Sequence, residues 1–240
     1  MYDLPSEDPE EPGLPDEFHL WQPNLLSDTF SPSNYPADRI FVASDLNLYY
    51  DPQHPRWYKR PDWFAVVGVS RFYEGRDLRL SYVIWQEKVS PIVAVELLSP
   101  STRREDLGQR QRRGKKPTKW EVYEQILNIP YYVLFDRYTD ELRAFTLIGG
   151  CYQPLDVSER KVWISQLNMG LALWQGTFRG QDRQWLRWYN AEGNWLLTEA
   201  EQERQRAEQE RQQKELALQR AEQLAAKLKA LGIDPDSLAE

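Results

Sequence analysis

A chain of 240 residues with 41% hydrophobic and 13% aromatic content is long enough to bury the core of one domain and to carry extensions. Its single cysteine, Cys151, excludes an intramolecular disulfide and a Cys-based zinc site; no apolar run approaches the roughly 18 residues of a membrane helix, and the acidic start does not read as a secretory signal. The formal charge of −7 is local: residues 1–17 hold seven acidic side chains and no Lys or Arg, which leaves the remainder neutral.

Residues 1–17 are Pro-rich and acidic and are expected to be a disordered tail of a cytoplasmic protein. The segment 18–197 reads as one domain. Its first stretch, Phe18 to Ala37, is rich in Pro, Ser and Asn and predicts no more than a short helical turn or a packing arm. Apolar residues from Ile40 to Tyr50 predict a strand or a strand pair, with Asp45 as a turn residue between the halves. A loop with Pro52, His54 and Pro55 follows, and its histidine reads as a surface residue. Asp62 then opens the apolar run from Trp63 to Val69, and Leu80 to Trp85 predicts a further strand.

The stretch from Pro91 to Tyr123 carries the chemistry. Ile92 to Leu98 reads as a fully buried strand in which Glu96 is the only charge, and Ser99-Pro100-Ser101-Thr102 ends it. A carboxylate in that setting must be neutralised, paired with a cation or bound to a metal. Asp62, at the start of a neighbouring strand, is a candidate companion, and two such carboxylates suit a hard divalent cation.

Between Arg103 and Lys119 lie eight basic residues, Arg103, Arg104, Arg110, Arg112, Arg113, Lys115, Lys116 and Lys119, against Glu105 and Asp106. The run reads either as a phosphate-binding loop or as a solvated face. Thr118 and Glu121 form a capping-box pattern that starts a helix reaching Asn128, with Lys119 in its first turn and Tyr123 on the same face. Tyr131 to Phe135 predicts a strand, followed by a meander over Leu142 to Val157 and short edge elements at Val162 to Ile164 and Leu171 to Trp174. Trp185 to Tyr189 and Trp195 to Leu197 predict a final hairpin, in which Trp174, Trp185, Trp188 and Trp195 serve core or edge-covering roles. Residues 198–240 change to Glu, Gln, Arg, Lys, Ala and Leu. Glu199 to Leu231 predicts a long charged helix, either a coiled-coil homodimer element or a solvated helix, with Gly232 as its C-terminal cap.

Pro61-Asp62, Val95-Glu96-Leu97-Leu98-Ser99-Pro100-Ser101-Thr102, Asp106-Leu107-Gly108, Lys119 with Tyr123, and Ile129-Pro130-Tyr131-Tyr132 together resemble the Uma-two family of bacterial restriction-endonuclease-like proteins, within the PD-(D/E)XK nuclease superfamily. The resemblance implies an α/β fold with a restriction-endonuclease-like mixed sheet and flanking helices. It also implies an endonuclease acting on phosphodiester bonds of DNA, with Asp62 and Glu96 holding Mg²⁺ or Mn²⁺. The superfamily pattern places a lysine two positions after the Glu, where this chain has Leu98; Lys119 is the candidate replacement, with Tyr123 and Asp106 supporting the site. Asp106 reads more simply as an N-cap or salt-bridge residue. The alternative expectation is a non-catalytic nucleic-acid-binding or assembly protein on the same scaffold.

Overall fold

The computed structural model describes residues 16–109 and 116–231. The N-terminal region folds as α1 (Phe18–Thr29), β1 (Ile40–Ala43), β2 (Leu48–Tyr49), β3 (Tyr58–Lys59), β4 (Trp63–Val67), β5 (Tyr82–Val83), α2 (Ile84–Glu87) and β6 (Val93–Leu97). Next come α3 (Arg103–Asp106), α4 (Lys119–Glu121) with a π-helical turn over Val122–Ile126, β7 (Tyr131–Asp136), β8 (Glu141–Ile148) and β9 (Cys151–Pro154). The remainder is β10 (Lys161–Ile164), β11 (Met169–Phe178), β12 (Gln181–Tyr189) and α5 (Glu199–Ala230). Two compact units divide between Leu196 and Leu197.

A six-stranded sheet in the order β1-β4-β6-β7-β8-β9 organises the first unit. Only β6 and β7 pair in parallel, so the sheet is mixed, and the crossover between them contains α3 and α4. Alternation along β6 assigns its side chains to two cores. Val93, Val95 and Leu97 face one core, covered by α1 and the three-stranded sheet β10-β11-β12. Ala94 and Leu98 face the other, which receives Val122 and Tyr123 from the π turn and Leu48 and Tyr82 from the small sheet β3-β2-β5. Glu96 therefore points toward the second core.

The α/β expectation holds, while several local expectations need correction. Phe18 to Ala37 contains a 12-residue helix rather than a turn or arm. Pro23 lies inside it and its buried face includes the polar His19 and Gln22, which masks the apolar stripe. Gln22 acts as a substitute strand partner, donating to Leu186 O at 2.7 Å and accepting from Leu186 N at 2.8 Å. Burial of Phe18, Leu25 and Leu26 contributes about 1.5–3 kcal/mol each. The expected strand over Leu80 to Trp85 shrinks to Tyr82–Val83 before the chain turns into α2.

The predicted final hairpin is also displaced. Strand β12 pairs along its whole length with Gly170 to Phe178 of β11, and Trp195 forms only an isolated bridge to Tyr189. Trp185 and Trp188 are buried, as expected for core residues. In the second unit, Thr198 and Glu201 form a capping box at the start of α5, which has no buried residue. Gly232 and most of the expected acidic tail lie outside the described residues, as do Arg110, Arg112, Arg113 and Lys115. No helix among the described residues is long and apolar enough to cross a membrane.

Candidate active site

Adjacent antiparallel strands bring the two sequence-predicted carboxylates together. Trp63 pairs with Val95, which sets Asp62 beside the Glu96–Leu97 peptide. Asp62 Oδ2 accepts from the Leu97 backbone N–H at 2.6 Å, and the Asp62 N–H donates to Glu96 Oε2 at 3.3 Å. Glu96 is fully buried, whereas Asp62 keeps partial contact with solvent.

The helix that covers this face supplies the cation. The expected capping box is present: Thr118 Oγ1 accepts from Glu121 N, and Glu121 Oε2 accepts from Thr118 N. It starts the helix so that Lys119 turns inward, with its Nζ 3.0 Å from Glu96 Oε2 and 2.7 Å from Asp106 Oδ1. Position 98 supplies no cation: Leu98 is packed into the second core. The continuous helix expected to reach Asn128 changes to π geometry at Val122, and Asn128 closes it in the left-handed conformation. Tyr123, inside the π turn, donates its hydroxyl to Glu96 Oε1 at 2.8 Å.

Asp106 joins the cluster as a salt-bridge residue from the end of α3. The Tyr132 hydroxyl donates to its carbonyl at 3.0 Å, and its Oδ2 is buried without a hydrogen-bond partner among the described residues. Beside it, Glu105 Oε1 accepts from Lys59 Nζ at 2.8 Å and from the Lys119 backbone N–H at 3.2 Å. Arg103 pairs with Asp136, Arg104 is exposed, and Lys116 lies 5.5 Å from the centre of the Tyr58 ring.

His19 is a neighbour that the sequence did not single out. Its Nε2 lies 3.2 Å from Leu97 O and its Nδ1 lies 2.9 Å from Asp16 Oδ1. A histidine in a polar, Pro-containing segment carries no signal of such a position; only its spacing of three from Asp16 hints at a local pair.

Burial sets the electrostatics. It raises the Glu96 carboxyl well above the usual carboxylate range; Lys119 opposes this, and the charges of Asp62 and Asp106 reinforce it. Asp62 is raised for the same first reason, with Lys119 pulling the other way. Burial alone pushes Lys119 down, but Asp106, Glu96 and Asp62 override it and hold the ammonium well above its ordinary value. Lys119 is therefore a permanent cation within the neutral pH range.

A profile of the Uma2 family, described as "Putative restriction endonuclease", matches residues 1–179. The chain belongs to the Uma2 family. No curated protein matches it. Uma2 membership gives a nuclease-like function with nucleic acid as substrate, and restriction-endonuclease-like families typically use a divalent metal. In this Uma2 chain no group of three or more His, Cys, Asp and Glu side chains among the described residues is gathered as a metal cage. The donor chemistry nonetheless fits a hard cation that keeps most of its waters. Asp62 and Glu96 offer carboxylate oxygens side by side, Lys119 pairs with Glu96 and Asp106, and Asp106 Oδ2 is an orphaned buried acceptor.

Proposed function

We propose that this Uma2 protein is a Mg²⁺- or Mn²⁺-dependent endonuclease that hydrolyses phosphodiester bonds of DNA. The observation that carries the reading is Lys119 Nζ, drawn in from a different element to within 3.0 Å of Glu96 in place of the lysine missing at position 98. Asp62 and Glu96 would hold the metal, which when bound lowers the pKa of water and offsets charge on the phosphate. The Leu97 N–H fixes Asp62, and the Tyr123 hydroxyl fixes Glu96.

An ammonium has three N–H donors, and Glu96 and Asp106 account for two. The third is available to orient the attacking water or to stabilise a phosphate oxygen as charge develops. Because Lys119 is held cationic, its role is donation and charge stabilisation rather than proton abstraction. Arg104 and Lys116, with Arg110, Arg112, Arg113 and Lys115 of the same basic run, would hold the DNA backbone, as would Arg103 if it leaves Asp136.

Incubation of supercoiled plasmid with Mg²⁺ or Mn²⁺ tests the reading: the wild type should nick it, and folded Glu96→Ala and Lys119→Ala should not. Failure of the wild type with either metal, together with no calorimetric metal binding, supports the second reading, an assembly protein on a nuclease-like scaffold. The exposed Leu224 of α5 and Leu231, one heptad further on, favour that alternative as a pairing surface, and a homodimer through this helix belongs to it as a proposal.

A further inference from the structure

Tyr49 on β2, Tyr58 on β3 and Trp85 on α2 form an aromatic cluster that packs against neither hydrophobic core. Their ring centres are 5.4 Å apart for Tyr49 and Tyr58, and 6.4 Å apart for Tyr49 and Trp85. Tyr58 is 37% exposed, and Tyr49 and Trp85 are half-buried. Trp57, their neighbour in sequence, differs: it packs against the second core and carries His54 stacked on its ring at 3.8 Å. Tyr49 and Tyr58 are cross-strand partners and Trp85 packs on Tyr49, yet the Tyr58 ring keeps a face open to water.

Cations border these rings. Lys116 Nζ lies over Tyr58, and Lys59, the next residue along β3, reaches Glu105, which also accepts from the Lys119 backbone. Lys59, Lys116 and Lys119 are near enough that the latter two charges, after burial, help lower the Lys59 pKa. The chain from Tyr58 to Asp62 spans at most about 14 Å. Contacts thus lead from the Tyr58 ring with Lys116, and from Lys59 through Glu105, to Lys119 and Glu96.

We infer that Tyr49, Tyr58 and Trp85 form a stacking platform for unpaired bases, so that the substrate enters as single-stranded nucleic acid or as a locally unpaired stretch. This rests on the nuclease reading above. Bases in a duplex bury their faces against one another, so side-chain rings reach those faces only when the strand is unpaired. Lys116 binds the backbone beside the rings, and the platform sets which nucleotides flank the cleaved bond.

The test measures fluorescence anisotropy of a labelled oligodeoxythymidine of about 16 nucleotides, and of a duplex of equal length, with the full chain in EDTA. The wild type should prefer the single strand, and Tyr58→Ala and Trp85→Ala should each weaken it about 5- to 100-fold while changing duplex binding by less than about twofold. Tyr58→Phe and Trp85→Phe, which keep a ring and guard against a folding artefact, should retain binding. Equal affinity of the alanine variants and the wild type, or a wild type that binds the duplex at least as tightly, overturns the inference. Plasmid nicking in Mg²⁺ is scored separately, so loss of the nuclease reading leaves the metal-free binding result to decide the platform.

Discussion

The Leu97 backbone N–H donates to Asp62 Oδ2 at 2.6 Å, a bond that adds to the β4–β6 ladder and fixes the Asp62 carboxylate beside Glu96. The bond needs an oxygen acceptor but not a charge. Asp62→Asn should keep the fold, with Tm within a few degrees of the wild type, while abolishing calorimetric binding of Mn²⁺ and cleavage. A variant that still binds Mn²⁺ with wild-type affinity would remove Asp62 from the metal site.

Tyr123 is the donor to the other oxygen of the Glu96 carboxylate. Tyr123→Phe deletes only that hydroxyl from a buried pair and should cost about 1–3 kcal/mol in urea unfolding. In a Glu96→Gln background the same change should cost less, since the charge that the hydroxyl serves is gone. Equal costs in both backgrounds would show that the hydroxyl does not act on Glu96.

Gly108 holds a left-handed conformation at φ +67°, and a Cβ there would lie 2.8 Å from Trp120 Cδ2. Trp120 in turn packs its edge on Tyr132, Phe145 and Tyr152. Gly108→Ala should destabilise the protein by roughly 1–3 kcal/mol and loosen the contact between Asp106 and Lys119. Guanidinium unfolding measures the first effect; unchanged stability would contradict the packing described.

His19 gives the clearest pH dependence. Burial pushes its imidazole down, but its hydrogen bond to Asp16 and the Asp62 charge outweigh this, so its pKa is raised above the usual 6.5. The stabilisation is therefore full below pH 6.5 and is lost as pH rises through the higher folded value. Burial pulls Asp16 up, yet the hydrogen bond and charge of His19 and the charge of Arg137 set it below 3.8, so its contribution is lost only as pH falls through that lower value. The Tm difference between wild type and His19→Gln should be largest between pH 3.8 and 6.5 and narrow on either side. A difference independent of pH would show that the His19 charge is not involved.

The central strand and its carboxylate were legible because an unbroken apolar run with one Glu has few physical solutions. The capping box at Thr118 likewise located the first turn that aims Lys119. Helix α1 was not legible: Pro23 interrupts it, and Gln22 and His19 are buried by bonds to backbone atoms contributed by β12 and β6. The short edge element expected over Leu171 to Trp174 is the middle of the longer β11, which runs on past Gly176. Gly176 leaves room for the Trp174 ring, since a Cβ would fall 2.1 Å from Trp174 Cζ2. The π turn at Val122 has no pattern in the residues themselves. It follows from seating Val122 and Tyr123 against the second core while Lys119 reaches Glu96.

In the proposed reaction Lys119 supplies the cation missing at position 98, and single-turnover cleavage by Lys119→Met and Lys119→Arg at saturating Mg²⁺ tests that role. Loss of one preorganised donor should slow Lys119→Met by about 100-fold or more, with Lys119→Arg recovering part of the rate and both variants folded by circular dichroism. A Lys119→Met rate within about threefold of the wild type would contradict the claim, because a charge stabiliser of this kind is worth far more than that.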